Sequence, residues 1–216
     1  MAPGKIDGVP TIASYFAACA YLEAASVIAF RAMARELAAH GAPPSLIAAC
    51  KHAAMDEVRH ARLTARLARR YGANVIWPRI APGCPRTLVD MAIENVVEGV
   101  VRETYGAASA LVRAQSAARS EIREIAHAIA RDECGHAELS WKIAAWLDSQ
   151  LSREDRARVA ACGHAAIAEL RHELAIEPAC DVHTVAGVPT SKTATRIHAE
   201  LVSCIWANSD VLRATS

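Results

Sequence analysis

Two nine-residue stretches of this chain, DEVRHARLT at 56–64 and DECGHAELS at 132–140, share the pattern D-E-x-x-H-A-x-L-[ST] at an offset of 76 residues. On a helix, side chains three or four positions apart share a face. Glu57 therefore points with His60, Glu133 points with His136, and Asp56 and Asp132 join those histidines at i, i+4. Carboxylate and imidazole on one face are ligands for iron or manganese. A single copy would read equally well as a solvated polar face, but the second copy favours a shared chemistry. The segments upstream correspond too: Glu23 is followed seven residues later by Phe30, and Glu98 seven later by Tyr105, at an offset of 75.

The elements that must position these residues are long helices. Apolar periodicity and breakers predict helices over about 11–40, 44–71, 87–114 and 120–151, then 152–176 and 191–208. Gly41 with Pro43 and Pro44 ends the first and restarts the second, Gly72 ends the second, and Ser120 and Ser152 are expected N-caps. The segment ANVIWPRIAPGCPR at 73–86 reads as irregular or extended. At about 3.1 Å per residue it is just long enough to run the length of a bundle. No strand set appears. The reading is an all-α chain: two duplicated helical hairpins form a four-helix bundle over 1–150, with a C-terminal helical annex over 151–216.

Composition narrows the class. The 216 residues carry 24 Lys and Arg against 23 Asp and Glu, with no basic tail or aromatic-rich basic patch, so nucleic acid is not an expected partner. The seven cysteines are scattered and never spaced C-x-x-C, which fits reduced thiols in a cytoplasm. TIASYFAACAYLEAASVIAF at 11–30 is long enough to cross a bilayer. Its central Glu23 would be costly there, and MAPGKIDG lacks the charged start of a signal peptide. A buried bundle helix is the expectation, not a membrane span.

In an antiparallel hairpin, residues equidistant from the turn meet. The turns near 41 and 116 bring Glu23, Glu57, His60, Glu98, Glu133 and His136 to one height inside the bundle. Glu94 and Glu103 compete with Glu98, but only Glu98 keeps the offset and the aromatic spacing. Buried together and unpaired, four carboxylates and two imidazoles would be very costly, and two divalent metals would offset the charge. Two further Glu-x-x-His pairs, Glu124/His127 and Glu169/His172, lack the surrounding motif and are read as surface pairs. Glu36 is read as solvated.

One Glu from each of two helices plus Glu-x-x-His from the other two is the arrangement of ferritin-like di-metal proteins. The wording EAASVIAF…DEVRHARL…VEGVVRETYGA…DECGHAEL resembles a group of bacterial ferritin-like domain proteins within the di-iron carboxylate superfamily. That group often carries E-H-A-S where Ala24 stands here. The resemblance implies two iron ions, or manganese, with Glu57 and Glu133 as bridges, Glu23 and Glu98 as single carboxylates, and His60 and His136 on one metal each. It also implies that Asp56 orients His136 and Asp132 orients His60, fixing their tautomers. Tyr105, which has no counterpart at Phe30, is expected to donate to a ligand carboxylate or take part in redox chemistry. Gly99, Cys134, Gly135, Ala24 and Ala25 leave room for a substrate pocket or for a neighbouring helix.

The expected function is a di-iron oxidase or oxygenase using O2 or peroxide, an external reductant and a small organic substrate. A ferroxidase or iron-storage protein is the alternative, although about 65 residues beyond the fourth helix exceed the short fifth helix of cage ferritins. A metal-free interaction bundle is the non-enzymatic reading. Assembly size separates the first two, since a monomer or homodimer suits an enzyme and a 24-subunit particle suits storage.

Overall fold

The computed structural model describes residues 11–80 and 83–213. Among them all regular structure is helical. The N-terminal MAPGKIDG stretch and residues 81–82 of the proposed extended segment lie outside the described residues.

Helix α1 (Ile12–Ala39) opens with a capping box. Thr11 Oγ1 accepts from the Ser14 amide, and Ser14 Oγ accepts from the Thr11 amide. The chain leaves α1 through Gly41 at φ +74°, a left-handed turn that suits glycine. Helix α2 (Pro44–Arg70) starts on a proline, where the missing N–H has no intrahelical partner to lose. Next comes one rod in three parts: α3 (Leu88–Glu94), a π-helical segment (Asn95–Glu103) and α4 (Thr104–Ser116). Helix α5 (Ser120–Asp148) begins at Ser120, so that residue is the first helical one; Arg119 holds the cap position and no side chain caps it. Ser152 does cap α6 (Arg153–Glu173), accepting from the Asp155 amide. A short α7 (Cys180–Ala186), where the sequence reading has a loop, precedes α8 (Ser191–Cys204) and two 3-10 turns, Trp206–Asn208 and Asp210–Leu212.

Contacts at the helix ends give the topology. Tyr71, just past α2, stacks on Phe16 near the start of α1. Arg86, just before α3, pairs with Glu36 near the end of α1. The ends of the 71–86 segment are therefore separated by most of the length of α1, about 30 Å from Phe16 to Glu36 at 1.5 Å per residue. Helices α1 and α2 form one hairpin, α4 and α5 another, and α2 packs on α5. The order is up, down, down, up, with one long crossover. Glu36, read as solvated from sequence, is only 6% exposed. The Arg86 guanidinium, brought there by the crossover, neutralises it through bonds of 2.9 and 2.6 Å and holds its carboxyl below the usual range.

Two apolar cores fill the bundle. One gathers Leu37, Leu46, Met91, Val100, Ile143 and Leu147 toward the end of α1. The other gathers Phe16, Leu67, Ile122, Ile125 and Ile129 around its start. Along α1, α2 and α5 the acids and histidines of the repeated motif fall between these sets, so they form a polar layer held between two dry ones. Burying each large apolar side chain contributes about 1.5–3 kcal/mol, and that burial offsets the cost of the polar layer.

The annex holds the composite rod. Trp206 is 2% exposed and its indole N–H donates to the Val100 carbonyl inside the π segment, at 3.1 Å. Gly163 of α6 packs where an added Cβ would lie 3.0 Å from Val96 and 2.4 Å from Leu212. Helix α7 sits under the bundle: Asp181 accepts from the Ile12 amide at 2.8 Å. Gly187 (φ +70°) passes so close that a Cβ there would be 2.5 Å from the Ala117 nitrogen.

Candidate metal centre

Five of the six expected ligands converge. Glu23 of α1, Glu57 and His60 of α2 and Glu133 of α5 bring one ligating atom each to within 4.8 Å of one another. A second such group consists of Glu133 and His136 of α5 with Glu103, the last residue of the π segment. The two groups share Glu133. The side chains of Glu57, His60 and His136 are 2, 1 and 4% exposed.

The sixth residue is elsewhere. Glu98 stays 65% exposed and faces Arg102 at 3.9 Å, and Glu103 holds the place expected for it. The cause is local. A π turn closes i→i+5 instead of i→i+4, so the residues after Asn95 fall out of phase with an unbroken α-helix. An offset carried over from Glu23 then selects the wrong turn. A signal for Glu103 does exist in the sequence: Glu103 and Glu133 lie equally far from Ala118, the middle of the α4–α5 connection.

The two histidines are arranged alike. His60 Nε2 meets Asp132 Oδ2 at 3.0 Å, and His136 Nε2 meets Asp56 Oδ2 at 3.5 Å. Arg59 ties the two aspartates together, at 2.9 Å from Asp56 and 2.6 Å from Asp132. With each Nε2 turned out to an aspartate, each Nδ1 faces inward. His60 Nδ1 lies 3.7 Å from Glu57 Oε2, 3.4 Å from Glu133 Oε1 and 3.8 Å from Glu23 Oε2. His136 Nδ1 lies 3.0 Å from Glu57 Oε1 and 3.8 Å from Glu133 Oε2. Glu57 and Glu133 thus each offer one oxygen to either ring, which is the geometry of a bridging carboxylate.

The donor atoms fit a metal ion. Glu57 Oε2, His60 Nδ1 and His136 Nδ1 are buried with no hydrogen-bond partner. Leaving such groups unmet costs about 1–3 kcal/mol each, more when charged. Without metal, protons take up the charge. Burial works against a charged His60, but Glu133, Glu23 and Glu57 outweigh it and push its pKa up to about 12; Glu133 and Glu57 likewise raise His136 to about 10 against its burial. Burial, aided by Glu57 and Glu133, raises Glu23 to about 8 even against His60, and burial with Glu133 beside it pushes Glu103 well up. Burial opposes ionisation of Glu57 and Glu133 as well, yet the two histidines hold both below the ordinary carboxylate range.

No protein-family model matches the chain, nor does any curated protein or solved structure.

The remaining expected residues have simple places. Tyr105 is half-buried against the larger core; its hydroxyl lies by Ser109, and burial raises its pKa. The tyrosine on the Glu23 side is Tyr15, one of a Tyr15, Cys19, Glu23 stripe on α1 that faces Arg113. Phe30 lies with its ring centre 5.1 Å from that of His136 and walls the layer. Glu124, His127, Glu169 and His172 are all exposed, as surface pairs should be. Gly99 admits Ser140, which an added Cβ would meet at 2.7 Å. Cys134 and Gly135 face outward, while Ala25 lines a cleft beside the centre. Helix α1 is long and apolar enough to cross a membrane by length and composition, yet it contributes Glu23 to this buried layer.

Proposed function

We propose that this chain is a ferritin-like di-iron protein of the cytoplasm that uses O2 and an external reductant to oxidise a small organic substrate. One observation carries the reading: two unpartnered imidazole nitrogens face each other across Glu57 and Glu133, with one oxygen of each carboxylate toward each ring. The single long crossover supports it, since ferritin-like bundles have one.

His60 and Glu23 would hold one ion, His136 and Glu103 the other, and Glu57 and Glu133 would bridge them. Ferrous iron suits these donors, and manganese shares the preference. When bound, such a pair supplies the two-electron chemistry that reduction of O2 requires. The rest belongs to the chain. Asp132 and Asp56 keep the Nε2 protons and so keep the Nδ1 lone pairs inward. The two apolar cores and the Phe30 ring exclude water. The Glu103 carboxyl stands between the centre and the adjoining cleft. Oxygenation of a C–H bond balances as R–H + O2 + 2 electrons + 2 protons giving R–OH + H2O, with both electrons from the reductant. The open cleft beside Glu103 favours an organic substrate over iron storage.

The test is anaerobic loading with Fe(II), removal of free metal, and metal analysis followed by O2 uptake. The expected result is two irons per chain, lost in Glu133→Ala and kept in Glu169→Ala. Less than one metal per chain in a folded protein would overturn the proposal.

A further inference from the structure

A cleft of about 920 Å³ opens between α1, the chain just before α3 and the π segment. Its volume falls in the range of about 300–1,000 Å³ typical of small-molecule sites. Glu103 forms part of its wall. The same carboxylate reaches Glu133 and His136, so a molecule in the cleft touches a group that belongs to the candidate centre.

The wall is mainly apolar, with Ala25, Ala29, Phe30, Met33 and Ile143 among its residues. Two of its three arginines are already matched. Arg86 is held by two bonds to Glu36 and by Glu94. Arg102 is held by two bonds to Glu173, at 2.9 and 2.8 Å, with Glu98 beside it. The third arginine of the wall, Arg35, is exposed. Apart from the exposed Arg35, the arginines of the wall are occupied, and an anionic substrate would meet Glu94 and Glu98. A cationic one would have to separate those acids from their arginines, at a desolvation cost for each. Apolar contact with the α1 face involves neither cost.

We infer that this cleft takes the substrate of the metal centre and that the substrate is an uncharged, largely hydrocarbon molecule. The inference rests on the di-metal reading above and adds the substrate class to it.

The test uses the full chain with and without metal, and the neutral fluorescent probe N-phenyl-1-naphthylamine. The probe is expected to bind one site per chain. 1-Decanol should displace it at a concentration at least tenfold lower than decanoate or decylamine does. Ala29→Trp, at an exposed position of α1 that lines the cleft, should weaken probe binding at least tenfold with metal content unchanged. In Co(II)-loaded protein, 1-decanol should shift the visible absorption of the ion, as ligand close to Glu103 must. Equal or better displacement by decanoate or decylamine, or probe binding indifferent to Ala29→Trp, would overturn the substrate class. Two metals per chain without probe binding would remove this inference and leave the metal reading standing. Probe binding with no metal retained would remove the metal reading, and the substrate role with it.

Discussion

Loading the centre should expel about four protons for each pair of divalent ions. At neutral pH the metal-free layer holds its charge in balance: Glu57 and Glu133 are ionised, His60 and His136 are protonated, and Glu23 and Glu103 are neutral. Two anions face two cations. His60, pushed up to about 12, His136, to about 10, and Glu23, to about 8, keep their protons at pH 7, and burial beside Glu133 pushes Glu103 well up in the same direction. Two divalent ions among four carboxylates and two neutral imidazoles also sum to zero, so exchanging four protons for two metals leaves the buried layer neutral. By linkage, the overall two-metal binding constant should then rise by about four powers of ten per pH unit near neutrality. The assay is anaerobic titration with Fe(II) or Mn(II) at pH 7.0 in weak buffer, following acid release with an indicator dye. Release of one proton or none per metal pair would refute the charge balance, whatever the final stoichiometry.

Four further outcomes follow from the same geometry. Metal-free protein should lose stability as pH rises from about 5 to 8. Glu23 keeps its proton when folded up to about 8 but releases it near 4.5 when unfolded, a loss on the order of 4 kcal/mol at about 1.4 kcal/mol per unit. The raised histidines act in the same sense above about 6.5, and urea unfolding in chelator that is flat or rising across the window would count against this. Glu103→Gln should lower retained metal toward one per chain while Glu98→Gln keeps two, read by metal analysis; the reverse pattern would restore the sequence-based assignment. Asp132→Asn should weaken metal binding about 10- to 100-fold in competition with a chromophoric chelator, because it loosens the His60 tautomer. Gly99→Ala should destabilise the fold by about 1–3 kcal/mol in chemical denaturation, since its Cβ would lie 2.7 Å from Ser140.

Much of this architecture is legible in residues alone, for a physical reason. Local signals such as the Ser152 cap, Gly41 and Gly72 act within a turn or two, so helix ends follow from sequence. The twin D-E-x-x-H motifs are legible because a regular α-helix turns any i, i+3 pair into neighbours. Glu98 was misplaced because a π segment breaks that regularity. What sustains it is distant: the Asn95 amide bonds the Ser140 carbonyl, 45 residues away, and Trp206 reaches Val100 from farther still. Glu36 was misread for a similar cause, since its partner Arg86 arrives by the crossover. Periodicity carries no information about such partners. Helix α7 is short, so little apolar patterning marks it, and its place is fixed by Asp181 and Gly187 docking under the bundle.

The bond from Trp206 to Val100 also bears on when the centre can mature. Val100 sits in the turn that delivers Glu103, and the indole that caps its carbonyl is made 106 residues later in synthesis. At about 5–20 residues per second, that is a delay of several seconds or more. In the later part of that interval, once Asp148 has been made, both hairpins are complete with Glu23, Glu57, His60, Glu133 and His136, while the π turn is still without its annex. An ion arriving early would meet the His60 half of the layer first, and the His136 half would close only once the annex had docked. The order of synthesis thereby gives two nearly symmetric half-sites different histories.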